Sequence, residues 1–321
     1  MTLAFLFPGQ GAQKVGMGRA LAERFPAARA VFEEANDVVA FDLAALCWNG
    51  PEDELKKTVH TQPALLTHSV AALRLLEAQG VRPAFAAGHS LGEYSALVAA
   101  GALEFADALR LVQRRGALMF QAGLDTPGAM AAILGLDLAA VEAACREASG
   151  AGVVVPANLN APGQVVVSGE PAAVDAACEA ARARGAKRAI RLEVSGAFHS
   201  PLMAPAAAGL AEALDSVTVS EARFPVVANV SAQPVVRREE IRASLKTQLL
   251  GAVRWEESMR RLLQDGVEIF VEVGTGTVLR GLLRSVDRDA RALNVDDPDS
   301  LTATMTALGA PTGSTASGAS R

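Results

Sequence analysis

Apolar positions along this chain recur with two periods, and the switch between them predicts its elements. Thr2 and the all-apolar run 3–7 after it read as a buried strand over 2–7, ended by Pro8-Gly9-Gln10-Gly11. Apolar spacings of three and four then predict helices at 19–25, 27–39 and 65–79, the last stopped by Gly80. Residues 83–87 are strand-like again, and 93–100 and 105–122 are helical. Strands alternating with helices predict a parallel sheet covered on both faces.

From Gly128 the rhythm changes. Strand patterns at 129–134, 153–158, 164–168 and 186–194 enclose helical ones at 138–148 and 172–184. That β-α-β-β-α-β order predicts a small ferredoxin-like domain at 127–195. It would be inserted in a larger α/β domain made of 1–126 and 196–308. Further strands are expected at 224–230, 267–273 and 290–295, set among long helices. A pocket is expected at the junction of the two domains. From Gly309 the chain is low in complexity and is expected to be disordered.

Composition narrows the choices. Half of the 321 residues are apolar, yet no apolar stretch approaches the roughly 20 residues of a membrane span. A net charge of −5 argues against a nucleic-acid partner. The chain starts on Leu3-Ala4-Phe5-Leu6-Phe7, without a basic leader or cleavage site. Cys47, Cys145 and Cys178 are scattered, odd in number and lack metal spacing. A soluble cytoplasmic protein with reduced thiols and no metal site is expected.

Candidate chemistry centres on Gly88-His89-Ser90-Leu91-Gly92-Glu93. A G-x-S-x-G between a strand and a helix is a nucleophile elbow, which exposes a serine on a strained corner. N–H groups at the start of the helix can then receive developing negative charge. The serine needs a base. His60 and His68, beside a helix start, read as surface or capping residues, and His89 adjoins Ser90, where neighbouring side chains diverge. His199 lies in the Gly/Ser/Pro-rich loop 195–201 at the expected cleft mouth and is the base of choice. The intervening acids Asp107, Asp125, Asp137, Glu142 and Asp175 fall in helices or surface turns, so a Ser-His dyad is expected, its ring oriented by a backbone carbonyl.

These stretches, with Phe7 to Gln13, Thr61 to Ala64, Arg115-Gly116, Gly128 to Ala132, Asn158 to Gln164, Ala197 to Met203 and Glu272 to Gly274, resemble malonyl-CoA:acyl carrier protein transacylases. These are the acyltransferases of fatty acid and polyketide synthesis, and the match spans residues 2 to about 308. The resemblance implies an α/β-hydrolase-like large domain with a parallel sheet. It implies that Ser90 carries the acyl group, that His199 is its base, and that the N–H groups of Gln10 and Leu91 form an oxyanion hole. Arg115 would grip the malonyl carboxylate, although alone it reads as a surface arginine ending a helix beside Arg114. The Gln248 carbonyl would orient the histidine, and Met119, Met130, Asn160 and Phe198 would line the acyl pocket.

Malonyl-CoA and acyl carrier protein are the implied partners of a ping-pong reaction, with no tightly bound cofactor and a monomeric enzyme. Arg182, Arg184, Lys187, Arg188 and Arg191 form a basic cluster suited to an acidic carrier. Ala252-Val253-Arg254-Trp255 and Gly274-Thr275-Gly276 depart from the family's common Pro-Val-x-Trp and Gly-Pro-Gly. The pathway stays open between fatty acid and polyketide synthesis. A serine thioesterase, or a carrier-binding subunit without catalysis, are the rival readings.

Overall fold

Ten strands form two sheets in a computed structural model that describes residues 1–194 and 196–309. In chain order they are β1 (Leu3–Phe7), β2 (Phe85–Gly88), β3 (Ala129–Leu134), β4 (Val154–Ala161), β5 (Gln164–Gly169), β6 (Arg188–Arg191), β7 (Val226–Val227), β8 (Pro234–Val235), β9 (Ile269–Val273) and β10 (Arg291–Val295). The larger sheet has the order β10-β9-β1-β2-β7-β8. β1 and β9 are buried at every position, as strands covered on both faces must be.

The larger sheet is mixed rather than parallel throughout. β10, β9, β1, β2 and β7 run parallel, but β8 pairs antiparallel with β7. The strand expected at 224–230 stops after two residues because the chain turns back there. Ala228 N–H donates to Gln233 O at 3.0 Å, and Ala232 takes a left-handed φ of 54°. Asn229 thereby leaves the ladder and turns toward the elbow.

The smaller sheet has the order β4-β5-β3-β6, all antiparallel. Helices Leu138–Ala148 and Pro171–Ala183 close it through a core of Val141, Ala144, Cys145, Val174, Ala177 and Cys178. β6 is shorter than the predicted 186–194: its paired residues run from Arg188 to Arg191, Leu192 N–H still donates to Met130 O at 2.9 Å, and Leu192 and Val194 line a cavity. β4 runs on to Ala161 through two register shifts. It also reaches the larger unit: Val253 N–H donates to Ala157 O, and Leu159 N–H to Val253 O, each at 2.8 Å.

Helix Thr58–Ala78 begins seven residues before the predicted start, with Pro63 inside it. Every residue from Thr61 to Leu73 is buried, so tertiary packing overrides the local proline signal. His68, read as a surface or capping residue, is fully buried on this helix and bonds Asp296 O through Nε2 at 3.0 Å. His60 bonds Glu54 O through Nδ1 at 2.9 Å. The short helices Leu43–Asn49 and Glu52–Lys56 had no expected counterpart. The three cysteines are free and buried. Among the described residues no helix is long and apolar enough to cross a membrane. Gly309 caps the last helix, and the rest of the expected disordered tail lies outside the described residues.

Candidate active site

β2 ends in a corner that only glycine can flank. A Cβ on Gly88 would stand 1.9 Å from the Gly92 backbone, and one on Gly92 would stand 2.1 Å from Phe7 O. Between them Ser90 has a left-handed φ of 50°, a strained conformation for a residue with a side chain. Two amide side chains hold it there. Asn229 Oδ1 accepts from Ser90 N–H at 2.7 Å, and Gln248 Nε2 donates to Ser90 O at 3.0 Å. Helix Gly92–Ala99 follows at once, so the Leu91 N–H lies at its amino end. Among the described residues neither Gln10 N–H nor Leu91 N–H makes a hydrogen bond.

His199 also has a positive φ, 57°, in a loop tied by Ser200 Oγ donating to Ala197 O at 2.6 Å. Its Nδ1 faces two acceptors, Gln248 O at 2.9 Å and Gly251 O at 3.1 Å. Nδ1 therefore carries the ring proton, and the Nε2 lone pair meets Ser90 Oγ at 2.7 Å. Burial, then the nearby Arg115 charge, pushes the His199 pKa down to about 3. The ring is neutral at physiological pH and ready to accept a proton. None of the five intervening acids is a hydrogen-bond partner of this ring.

Arg115 sits mid-way along helix Phe105–Asp125 and is 1% exposed, unlike its exposed neighbour Arg114. The surface reading of this residue fails because its helix face turns inward. NH1 donates to Gln62 Oε1 at 2.9 Å, and NH2 donates to Gln248 Oε1 at 3.1 Å and Ser90 Oγ at 3.0 Å. Nε is buried with no hydrogen-bond partner among the described residues. Burial lowers the Arg115 pKa, yet a guanidinium keeps its proton in proteins.

A cavity of about 180 Å³ opens at this cluster. Gln10, Leu91, Met119, Met130, Asn160 and Phe198 all line it, as do Ser90, Arg115 and His199. Asn160 is engaged with His89, whose Nε2 lies 2.8 Å from its Oδ1. The His89 ring packs at 5.4 Å from Trp255 rather than turning to Ser90. One wall, Met130, Val166, Leu192 and Val194, comes from the smaller sheet and its exit. An activated serine, a neutral base, two free N–H groups and a buried cation in one cavity suit acyl transfer.

Sequence reasoning missed Gln62, Glu93 and Asn229. Gln62 and Glu93 lie inside matched stretches, but nothing local says that their side chains turn to the site. Asn229 has no signal at all.

The model of the acyl transferase domain matches residues 4–297. The chain belongs to the acyl transferase family. It is similar to the malonyl CoA-acyl carrier protein transacylase of Bacillus subtilis (strain 168), 48% identical over 300 residues, covering 93% of this chain and 95% of that one. The Escherichia coli (strain K12) protein of the same name is 46% identical over 303 residues, covering 94% and 98%. Among solved structures, the transacylase of Coxiella burnetii superposes with a TM-score of 0.93 at 41% identity, covering 96% and 98%. A malonyl-transacylase solved with its type II PKS acyl-carrier protein gives 0.92 at 45% identity, covering 96% and 100%.

Proposed function

We propose that this chain transfers a malonyl group from malonyl-CoA to the phosphopantetheine thiol of acyl carrier protein in fatty acid biosynthesis. The observation that carries the reading is the meeting of two groups at one serine oxygen. Ser90 Oγ stands 2.7 Å from the base His199 and 3.0 Å from the buried guanidinium of Arg115. Serine and histidine alone suit hydrolysis equally well. A buried guanidinium at the nucleophile favours an acyl group that itself ends in a carboxylate, because its planar fork grips such a group at two points.

In the first half-reaction Ser90 Oγ attacks the thioester carbonyl as its proton passes to His199 Nε2. The N–H groups of Gln10 and Leu91 receive the oxyanion. Collapse breaks the C–S bond, and Nε2 returns the proton to the leaving CoA thiolate. The carrier's thiol then repeats the sequence in reverse, giving ping-pong kinetics. Met119, Met130 and Phe198 shape the acyl site, Asn160 borders it, and Gln248 orients the base. No tightly bound cofactor enters these steps.

The strand orders support reading 1–126 with 196–308 as an α/β-hydrolase-like domain and 127–195 as a ferredoxin-like insertion. A cytoplasmic monomer that meets its carrier transiently fits the same reading. The similarity to a transacylase solved with a type II PKS carrier favours a polyketide carrier as the second reading. Transfer rates to carriers of both kinds separate the two.

Intact mass spectrometry tests the proposal. Malonyl-CoA should add one malonyl group to the protein, and carrier protein should remove it. Ser90→Ala should add none. Malonyl mapped to Ser95 or Cys145, or no adduct on the unmodified chain, would overturn the reading.

A further inference from the structure

Glu93 is a buried carboxylate that the transfer steps do not use. It is 2% exposed, lines no part of the cavity, and contacts neither Ser90 Oγ nor His199 by a hydrogen bond. Burial raises its pKa to about 7 despite partners that favour the anion. A carboxyl group kept at that cost calls for a reason.

Its Oε2 accepts two hydrogen bonds, from Gln248 Nε2 at 2.7 Å and from Asn229 N–H at 3.2 Å. Those are the two residues whose side chains hold the strained Ser90 backbone, one at its N–H and one at its carbonyl. Asn229 Nδ2 also donates to Gly88 O at 2.7 Å, which ties the strand before the elbow.

The Gln248 carboxamide has one orientation that satisfies this site. Its NH2 group donates to Glu93 and to Ser90 O, so its oxygen faces the donors of Arg115. A reversed amide would set an NH2 group against the guanidinium and an oxygen against Ser90 O. Oε2 of Glu93 is an acceptor whether the acid is ionised or carries its proton on Oε1, and so it enforces the observed orientation. The backbone carbonyl of the same Gln248 brackets His199.

We infer that Glu93 is a positioning residue of the transfer reaction, pinning Gln248 and Asn229 so that Ser90 and Arg115 stand in register. The inference rests on the malonyl-transfer reading given above. It separates from that reading because the unmodified chain must first form the Ser90 adduct.

The test is a double-mutant cycle on single-turnover acylation, with malonyl-CoA and acetyl-CoA as the two donors. Glu93→Met, which removes the acceptor at similar volume, should slow malonyl acylation tenfold or more. It should slow acetyl acylation less, because an acetyl group has no carboxylate for a displaced Arg115 to lose. Gln248→Ala, which keeps the backbone carbonyl, should show the same bias. The double variant should be no more than about twofold slower than the slower single one, since both changes break one device. Glu93→Gln, which keeps an acceptor oxygen, should recover most of the rate. Independent, multiplying losses, or equal losses for the two donors, would make Glu93 a merely structural residue. If Glu93→Met does not fold, Gln248→Ala still decides: malonyl acylation at the unmodified rate would overturn the inference.

Discussion

The polar cluster at the elbow and the basic edge of the smaller sheet treat charge in opposite ways. Around Ser90, an arginine, a carboxyl group, a histidine and three amide side chains are packed away from water, each held by named partners. Along β6 and the end of the helix before it the charges are solvated. Arg191 pairs with Asp175 at 3.0 Å, Arg182 with Glu179 and Arg184 with Glu147, all on the surface. Among the described residues Lys187 and Arg188 are exposed and unpaired. Exposed pairs contribute about 0–1 kcal/mol each, whereas a buried charge that loses its partner costs several. The first region is therefore fixed in place, and the second is free to meet a partner.

The sharpest break in that contrast is His199→Ala. It should slow both half-reactions by about 10²–10⁴-fold, since one ring serves both thiol and serine, and a loss below about fivefold would remove it as the base. Next comes Arg115→Ala, read as kcat/KM for malonyl-CoA against acetyl-CoA. Hydrogen bonds to charged groups contribute about 1.5–3 kcal/mol each, so malonyl should lose on the order of 10²-fold while acetyl loses far less. Arg115→Lys should restore only part, because one point charge cannot reproduce the fork. Parallel losses for both donors would return Arg115 to a packing role.

Stability against pH tests the burial itself. The Glu93 pKa is raised from 4.5 to about 7, so the folded protein holds that proton more tightly than the unfolded chain does. Its contribution is full below 4.5 and is lost as pH rises through about 7. His199 runs the other way, lowered from 6.5 to about 3, with its contribution lost as pH falls through that window. In thermal melts the Tm of Glu93→Gln minus that of the unmodified chain should climb from pH 4.5 to 7. A flat difference would mean that Glu93 is not held in a water-poor site.

The smallest effect belongs to the edge. Reversing Lys187 and Arg188 to Glu should raise KM for carrier severalfold and leave malonyl-CoA acylation within about twofold. Equal losses in both half-reactions would deny the edge a docking role.

How much of this was legible depended on where the forces act. The bounds 129–134 and 138–148 read correctly because glycine and aspartate punctuate a clean local pattern, Asp137 capping its helix at 2.8 Å. The start of helix Thr58–Ala78 was hidden, since its stability comes from neighbours far along the chain rather than from local propensity. Ser90 and His199 announced themselves through loop chemistry. Arg115 needed the family pattern, because nothing in Arg114-Arg115 says which of the two turns inward. Asn229 was beyond reach: its partners Ser90 and Gly88 lie 139 and 141 residues away.

The strand-like stitch at Val253 sets a rule for building hybrids. The segment from Gln248 to Arg254 gives two carbonyls to the histidine ring, receives β4 through Val253, and bonds Asn229 O through Arg254 N–H at 2.9 Å. The smaller unit is thus attached at a third place besides its chain entry and exit. An exchange of residues 127–195 with a relative, cut only at those two ends, would set a foreign β4 against the native 251–254 and tilt the histidine bracket with it. A graft meant to change acyl choice without losing turnover has to carry residues 251–254 along, so it needs four junctions rather than two.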